Sequence, residues 1–231
     1  MAIALTNKAS GVPLGSTNGI TSATVAFAND KLYILSIAAN CGSGDTVTSI
    51  STPSGGGITW TSVRATAGGN RFFSQVWCGC VASGASTGTV TATVTTVGGN
   101  VVRTTCVIDE LTGTAATAAS NGASAIVQSA ADQPTSSTSS TVTLSAFQDA
   151  VNNMTYGFFN VGANQAVVAE SGGGYSEAAG SNAGGLGYRV EYKIGQDTSV
   201  NATTSVAGAW RSIAMEIKVL AAGDSVGMIP I

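Results

Sequence analysis

Residues 89–111 read TVTATVTTVGGNVVRTTCVIDEL. Over 89–97 the side chains alternate, with Val90, Ala92 and Val94 on one face and Thr89, Thr91, Thr93 and Thr95 on the other. A period of two is the pattern of a strand with one face on a core and one in water. Gly98, Gly99 and Asn100 then supply turn residues, and 101–111 reads as the returning strand. Two strands joined this way predict antiparallel pairing in an all-β fold.

Similar signals lie upstream. Residues 31–39 (KLYILSIAA) are almost continuously apolar, as expected of a strand covered on both faces. Residues 59–65 carry Trp60, and 72–81 (FFSQVWCGCV) follow the turn residues AGGN. Downstream, the chain replays this order. After an alternating stretch at 141–147, MTYGFFNV at 154–161 matches the buried strand in weight. SGGGYSEAAGSNAGG at 171–185 echoes TPSGGGITWTSVRATAGGN at 52–70. GYRVEYKI at 187–194 answers the aromatic strand, with Tyr192 near the place of Trp77. VNATTSV at 200–206 answers the threonine strand, and WRSIAMEIKVL at 210–220 the closing one.

Two such Greek-key halves predict a jelly roll, an antiparallel two-sheet sandwich. The halves span about 21–111 and 141–220, and the Ala, Ser and Thr-rich stretch 112–140 is read as the crossover between them. Residues 1–20 then form an N-terminal arm and 221–231 a C-terminal tail.

Composition removes several classes of function. Charged residues make up 9% of the 231, against about 25% in ordinary soluble domains. The net charge is −3 and the nine Lys and Arg are scattered, whereas phosphate backbones demand clustered cations. Nucleic acid is therefore not an expected partner. No stretch approaches the ~20 apolar residues of a spanning helix, so no membrane partner is expected either. The start, MAIALTNKASGVPLG, lacks a basic region followed by an apolar one. Synthesis in a cytoplasm without a signal peptide is the expectation.

The chain contains no histidine. Ser–His and Cys–His nucleophilic pairs and His-ligated metal sites are thereby excluded. Asp109 and Glu110 are neighbours in a strand and point to opposite faces. Nothing in the spacing of Glu170, Glu177 and Glu191 unites them as a glycosidase pair. No catalytic residue, metal site or cofactor is expected, and the chain reads as non-enzymatic. Cys41, Cys78, Cys80 and Cys106 read as small buried hydrophobes. A disulfide from Cys41 to Cys80 or Cys106 is the alternative. The triple glycines at 55–57 and 172–174 lead into strands with no lysine following, so they are hairpins or bulges rather than phosphate loops.

Binding surfaces are few. Most aromatics sit in apolar strands, whereas Tyr175 lies in a Gly and Ser loop and is the candidate for a glycan contact. The tail GDSVGMIPI has no strand partner of its own. Met228, Ile229 and Ile231 in the tail, with Leu14 in the arm, form the candidate assembly interface.

The succession ITWT at 58–61, VASG at 81–84, TVTATV at 89–94, Asp109-Glu110 and AWRSIAMEIKV at 209–219 resembles jelly-roll structural proteins of tailed-phage virions. The likeness spans about residues 20–220 and consists of strand order and composition. It implies a virion component, such as a capsid decoration or cement protein, a head fibre or a tail appendage. The partners it implies are copies of the chain itself and a virion protein such as the major capsid protein. A glycan-binding module of a tail fibre is the alternative. No catalytic residue carries over.

Overall fold

Alternating and continuous apolar runs both become strands, and the number of covered faces decides which pattern each one shows. The computed structural model describes residues 2–11, 18–99, 101–162, 166–169, 173–182 and 186–221. The first repeat holds β1 (Ala4–Gly11), β2 (Gly19–Thr21), β3 (Val25–Ala26), β4 (Leu32–Cys41) and β5 (Thr46–Ile50). It continues with β6 (Trp60–Ala65), β7 (Phe72–Gly79), β8 (Thr87–Gly88), β9 (Thr91–Val97) and β10 (Val101–Thr112). Two short 3-10 turns, Ala118–Ser120 and Ala123–Ala125, lead to the second repeat. There lie β11 (Ile126–Asp132), β12 (Ser137–Thr143), β13 (Met154–Val161) and β14 (Val168–Ala169). β15 (Ser176–Ser181), β16 (Gly187–Ile194), β17 (Ser199–Gly208) and β18 (Ser212–Ile217) follow. The fold is all-β, and every strand pairing described is antiparallel.

Eight strands recur in the same order in both repeats. A five-stranded sheet runs β1-β10-β4-β7-β6 in the first repeat and β11-β18-β13-β16-β15 in the second. A three-stranded sheet runs β2-β9-β5 in the first and β12-β17-β14 in the second. The small β3-β8 pair belongs to the first repeat alone. The expected single pair of sheets, one half of the chain to each Greek key, is not what forms. Each repeat builds its own pair, because each has its own alternating strands to cover its buried run.

Three apolar clusters show how the layers stack. One lies between the three- and five-stranded sheets of the first repeat, where Ile20, Val47 and Val94 meet Leu35, Ile37 and Trp77. A third joins Val142, Val200 and Ala202 to Phe159, Val161 and Ala214 in the second. Between them, Leu32, Ile34 and Val107 pack on Tyr156, Phe158 and Ile213, so the two five-stranded sheets lie face to face. They meet in reverse order, β1 over β15, β7 over β18 and β6 over β11, as two units related by a pseudo-twofold. Sheets covered on both sides need strands apolar on both sides, which is why every residue of β4, β13 and β18 is buried.

Polar groups pin this junction. Tyr156 donates to Asp109 Oδ2 at 2.8 Å and accepts from Ser36 at 3.1 Å. Asn7 Nδ2 donates to Asp109 Oδ1 at 2.8 Å. Arg211, only 3% exposed, donates from Nε to the Phe72 carbonyl at 3.0 Å, while Ser74 Oγ donates to the Arg211 carbonyl at 3.0 Å. The Tyr156 and Arg211 bonds tie one repeat to the other, while Asn7 holds Asp109 within the first.

Two stretches differ from expectation. Residues 4–11, read as part of an extended arm, form an edge strand along β10. The stretch 112–140, read as a crossover, already contains β11 and the start of β12. β11 (IVQSAAD) is half-buried throughout and shows no alternation, so its sequence resembles a connection.

Candidate functional site

A β-bulge marks the same place in both repeats. The register slips between Ser62 and Arg64 on β6 against β7, and between Glu177 and Ala179 on β15 against β16. Superposing the bulges puts Glu177 at the place of Ser62, Glu191 at Trp77 and Arg189 at Gln75. The neighbouring strand agrees, since Leu35 pairs with Trp77 and Gly157 with Glu191. Tyr192, expected near the place of Trp77, stands instead at that of Cys78. A slip of one residue exchanges the two faces of a strand, so the second repeat turns a carboxylate inward where the first buries an indole.

Glu191 is 0% exposed. Its Oε2 accepts from Arg189 Nε at 2.8 Å, and Arg189 Nη1 reaches on to Glu177 Oε2. Glu177 and Glu191 face each other directly across β15 and β16, so one guanidinium bridges two carboxylates on one sheet face. Glu191 Oε1 is buried and meets no donor. Burial pushes the Glu191 carboxyl up to about 7, against the opposing pull of Arg189. The outer partner, Glu177, keeps 48% of its side chain exposed. It borders a cavity of about 210 Å3 with Val167, Gly180, Ser181, Asn182 and Tyr188.

A second ion pair lies further along β16. Lys193 Nζ donates to Asp197 Oδ2 and to the Gly173 carbonyl, at 3.0 and 3.1 Å. It also stands 4.9 Å from the centre of the Tyr175 ring, and the Tyr175 hydroxyl donates to Asp197 Oδ2 at 3.0 Å. Tyr175, the sequence candidate for a glycan contact, is thus half-buried with one ring face and its hydroxyl engaged. Burial pushes the Asp197 carboxyl up, but donation from the Ser199 N–H, Lys193 and Tyr175 outweighs it and leaves the group below its ordinary value.

The other candidates are dispersed. Leu14, Met228, Ile229 and Ile231 lie outside the described residues, as does Glu170. Asp109 and Glu110 do face opposite ways, one toward Tyr156 and the other toward Tyr33 and Lys8. Burial raises Asp109 to about 6, with Asn7 and Tyr156 opposing the shift. Glu216 is buried but fully bonded to Asn153, Gln148 and Gln128, which anchors β18 to the loop before β13. All four cysteines are free and buried, and burial lifts Cys78 and Cys106 to about 12, so neither holds a reactive thiolate. The 55–57 glycines take φ of 122°, 66° and 70°, a hairpin conformation that only glycine adopts freely.

The joining of Glu177 and Glu191 through Arg189 was not read from the sequence. One signal was present: Arg189, Glu191 and Lys193 fall at every second position of β16, so one strand face is charged. No family model matches the chain, and no curated protein or solved structure does so.

Proposed function

We propose that this chain is a non-enzymatic structural protein of a tailed-phage virion, a capsid decoration or cement component that packs beside copies of itself and a capsid protein. In finer detail, each repeat is a jelly roll. Numbering the eight shared strands within a repeat, the sheets run 1-8-3-6-5 and 2-7-4, so successive strands cross between layers in a Greek-key manner.

The observation that carries this reading is the pair of outer faces. At one end of the stack, Thr91, Thr93 and Thr95 of β9 lie exposed beside Thr21 and Ser49. At the other end, Ser139, Thr141 and Thr143 of β12 lie exposed beside Ser199 and Thr203 of β17. Neither row carries a charge. Uncharged hydroxyl faces at both ends of the stack suit packing against neighbours, because little charge has to be desolvated when they close. The apolar tail residues Met228, Ile229 and Ile231, with Leu14, remain the proposed grip on a neighbour.

Reconstitution tests the proposal. Purified chain added to phage particles assembled without it is expected to bind saturably and to self-associate in analytical ultracentrifugation. The variant carrying Thr93→Lys and Thr203→Lys should fold normally yet bind poorly. A stable monomer that leaves such particles bare would sink the proposal.

A further inference from the structure

We propose that Glu191 is a proton-operated latch on the edge strand β15: a protonated carboxyl keeps β15 closed against β16, and loss of the proton opens β15 locally to water. The charge count of the triad carries the inference. With Glu191 protonated, the Arg189 guanidinium balances the single carboxylate of Glu177 at the rim. With Glu191 ionised, one guanidinium faces two carboxylates, and the inner one is 0% exposed. Its Oε2 is held by Arg189, while Oε1 meets no donor among the described residues. A buried carboxylate with an unbonded oxygen is costly, and water admitted by an opening strand supplies the missing donor.

Position decides which strand yields. Glu191 pairs on one side with Gly157 of β13 and on the other with Glu177 of β15. Every residue of β13 is buried, whereas β15 ends its sheet, pairs with β16 alone and is broken by the bulge after Glu177. A strand with one bonded neighbour belongs to the low-stability end of local opening. The groups around Glu191 offer no substitute for the proton. β13 brings Gly157 and Phe159 to it and β17 brings Val200, none of them titratable. On β16, Arg189 is shared with Glu177, and Lys193 is engaged by Asp197. Burial is the largest influence on the carboxyl and raises it to about 7 from 4.5, with Arg189 opposing and Asp197 and Glu177 adding to the rise. The closing contribution is therefore fully present below about 4.5 and is lost as the pH rises through about 7. The first repeat is an internal control. There Trp77 stands at the place of Glu191 and Ser62 at that of Glu177, so the equivalent edge strand β6 carries no latch. The latch does not depend on the virion role.

Amide hydrogen exchange on the whole chain tests the latch, read as protection factors so that the intrinsic pH dependence of exchange is removed. From about pH 5 to about pH 7.5, amides of β15 should lose about tenfold or more in protection. Those of β6 should keep theirs, and β15 should stay less protected than β13 throughout, as a local opening requires. Glu191→Gln, which holds the site neutral, should make the protection of β15 independent of pH. A carbon-13 NMR titration of the Glu191 carboxyl in the parent protein adds a reading that needs no variant, and its midpoint should coincide with that of the exchange change. Constant protection of β15, an equal fall in β6, a parent-like fall in Glu191→Gln or midpoints that disagree would each overturn the proposal. Particle binding is not read in this experiment, so its outcome is separable from that of the virion proposal.

Discussion

The two repeats share strand order, bulge position and stacking face, yet they fill one equivalent position in opposite ways. In the first repeat, Trp77 packs beside Leu35, and the Phe27 ring meets Tyr33 edge-on at 4.9 Å and Trp60 at 6.4 Å. In the second, Glu191 lies across from Gly157 and is held by Arg189. The same backbone thus tolerates at this position either an indole in an aromatic cluster or a buried carboxylate held by a cation. Pattern and pairing specify this fold, whereas the residue at a single core site is open to change once a cation accompanies a buried acid.

The largest effect should come from the apolar member of the pair. Trp77→Ala removes a fully buried indole, and denaturant unfolding should show a loss of about 3–5 kcal/mol. Arg189→Met tests the charged member by leaving Glu191 buried without its cation. A loss of about 3 kcal/mol is expected at neutral pH. It should shrink in acid, where Glu191 can protonate, and adding Glu191→Leu should recover most of it. An equal loss at every pH would show that the ion pair is not the source.

A smaller effect separates the repeats by pH. Asp109 is raised from 3.8 to about 6 and Glu191 from 4.5 to about 7, so both bind protons more readily in the folded chain than in the unfolded one. Their contribution to stability is therefore fully present below the unfolded values and is lost as pH rises through about 6 and 7. The change is on the order of 2 kcal/mol for each group. Asp109→Asn should flatten the lower part of that slope and Glu191→Gln the upper part, as read from midpoints between pH 4 and 8. The smallest effect belongs to the outer faces. Thr93→Val should shift stability by no more than about 0.5 kcal/mol, and a larger shift would mean that the face is not solvent-exposed in the free protein.

Much of the fold was legible in the chain. The strands at 31–39, 72–81, 89–97 and 154–161 follow from apolar periodicity, and the sequence displays the recurring order of buried, aromatic, threonine and closing strands. β1 and β11 were not, because each is an edge strand with a weak pattern, ALTNKASG and IVQSAAD, and takes its place from the ladder beside it. The candidate site was half legible. Glu177 and Glu191 stand in the sequence as separate acids, and a separation of fourteen positions does not show that they oppose one another across β15 and β16.

The sequence by itself determined the antiparallel β class, the recurrence of strand patterns, and the lack of any imidazole in the chain. These are matters of local alternation and of which residue types exist in the chain. Tertiary structure alone decided that each repeat closes on its own pair of sheets, and that the two five-stranded sheets meet through Asp109, Tyr156 and Arg211. It also decided that Glu191, not Tyr192, points inward at the place of Trp77. The physical reason is register. A strand reveals its two faces by alternation, but which face is inside depends on a partner strand and a one-residue bulge that no stretch of sequence displays alone.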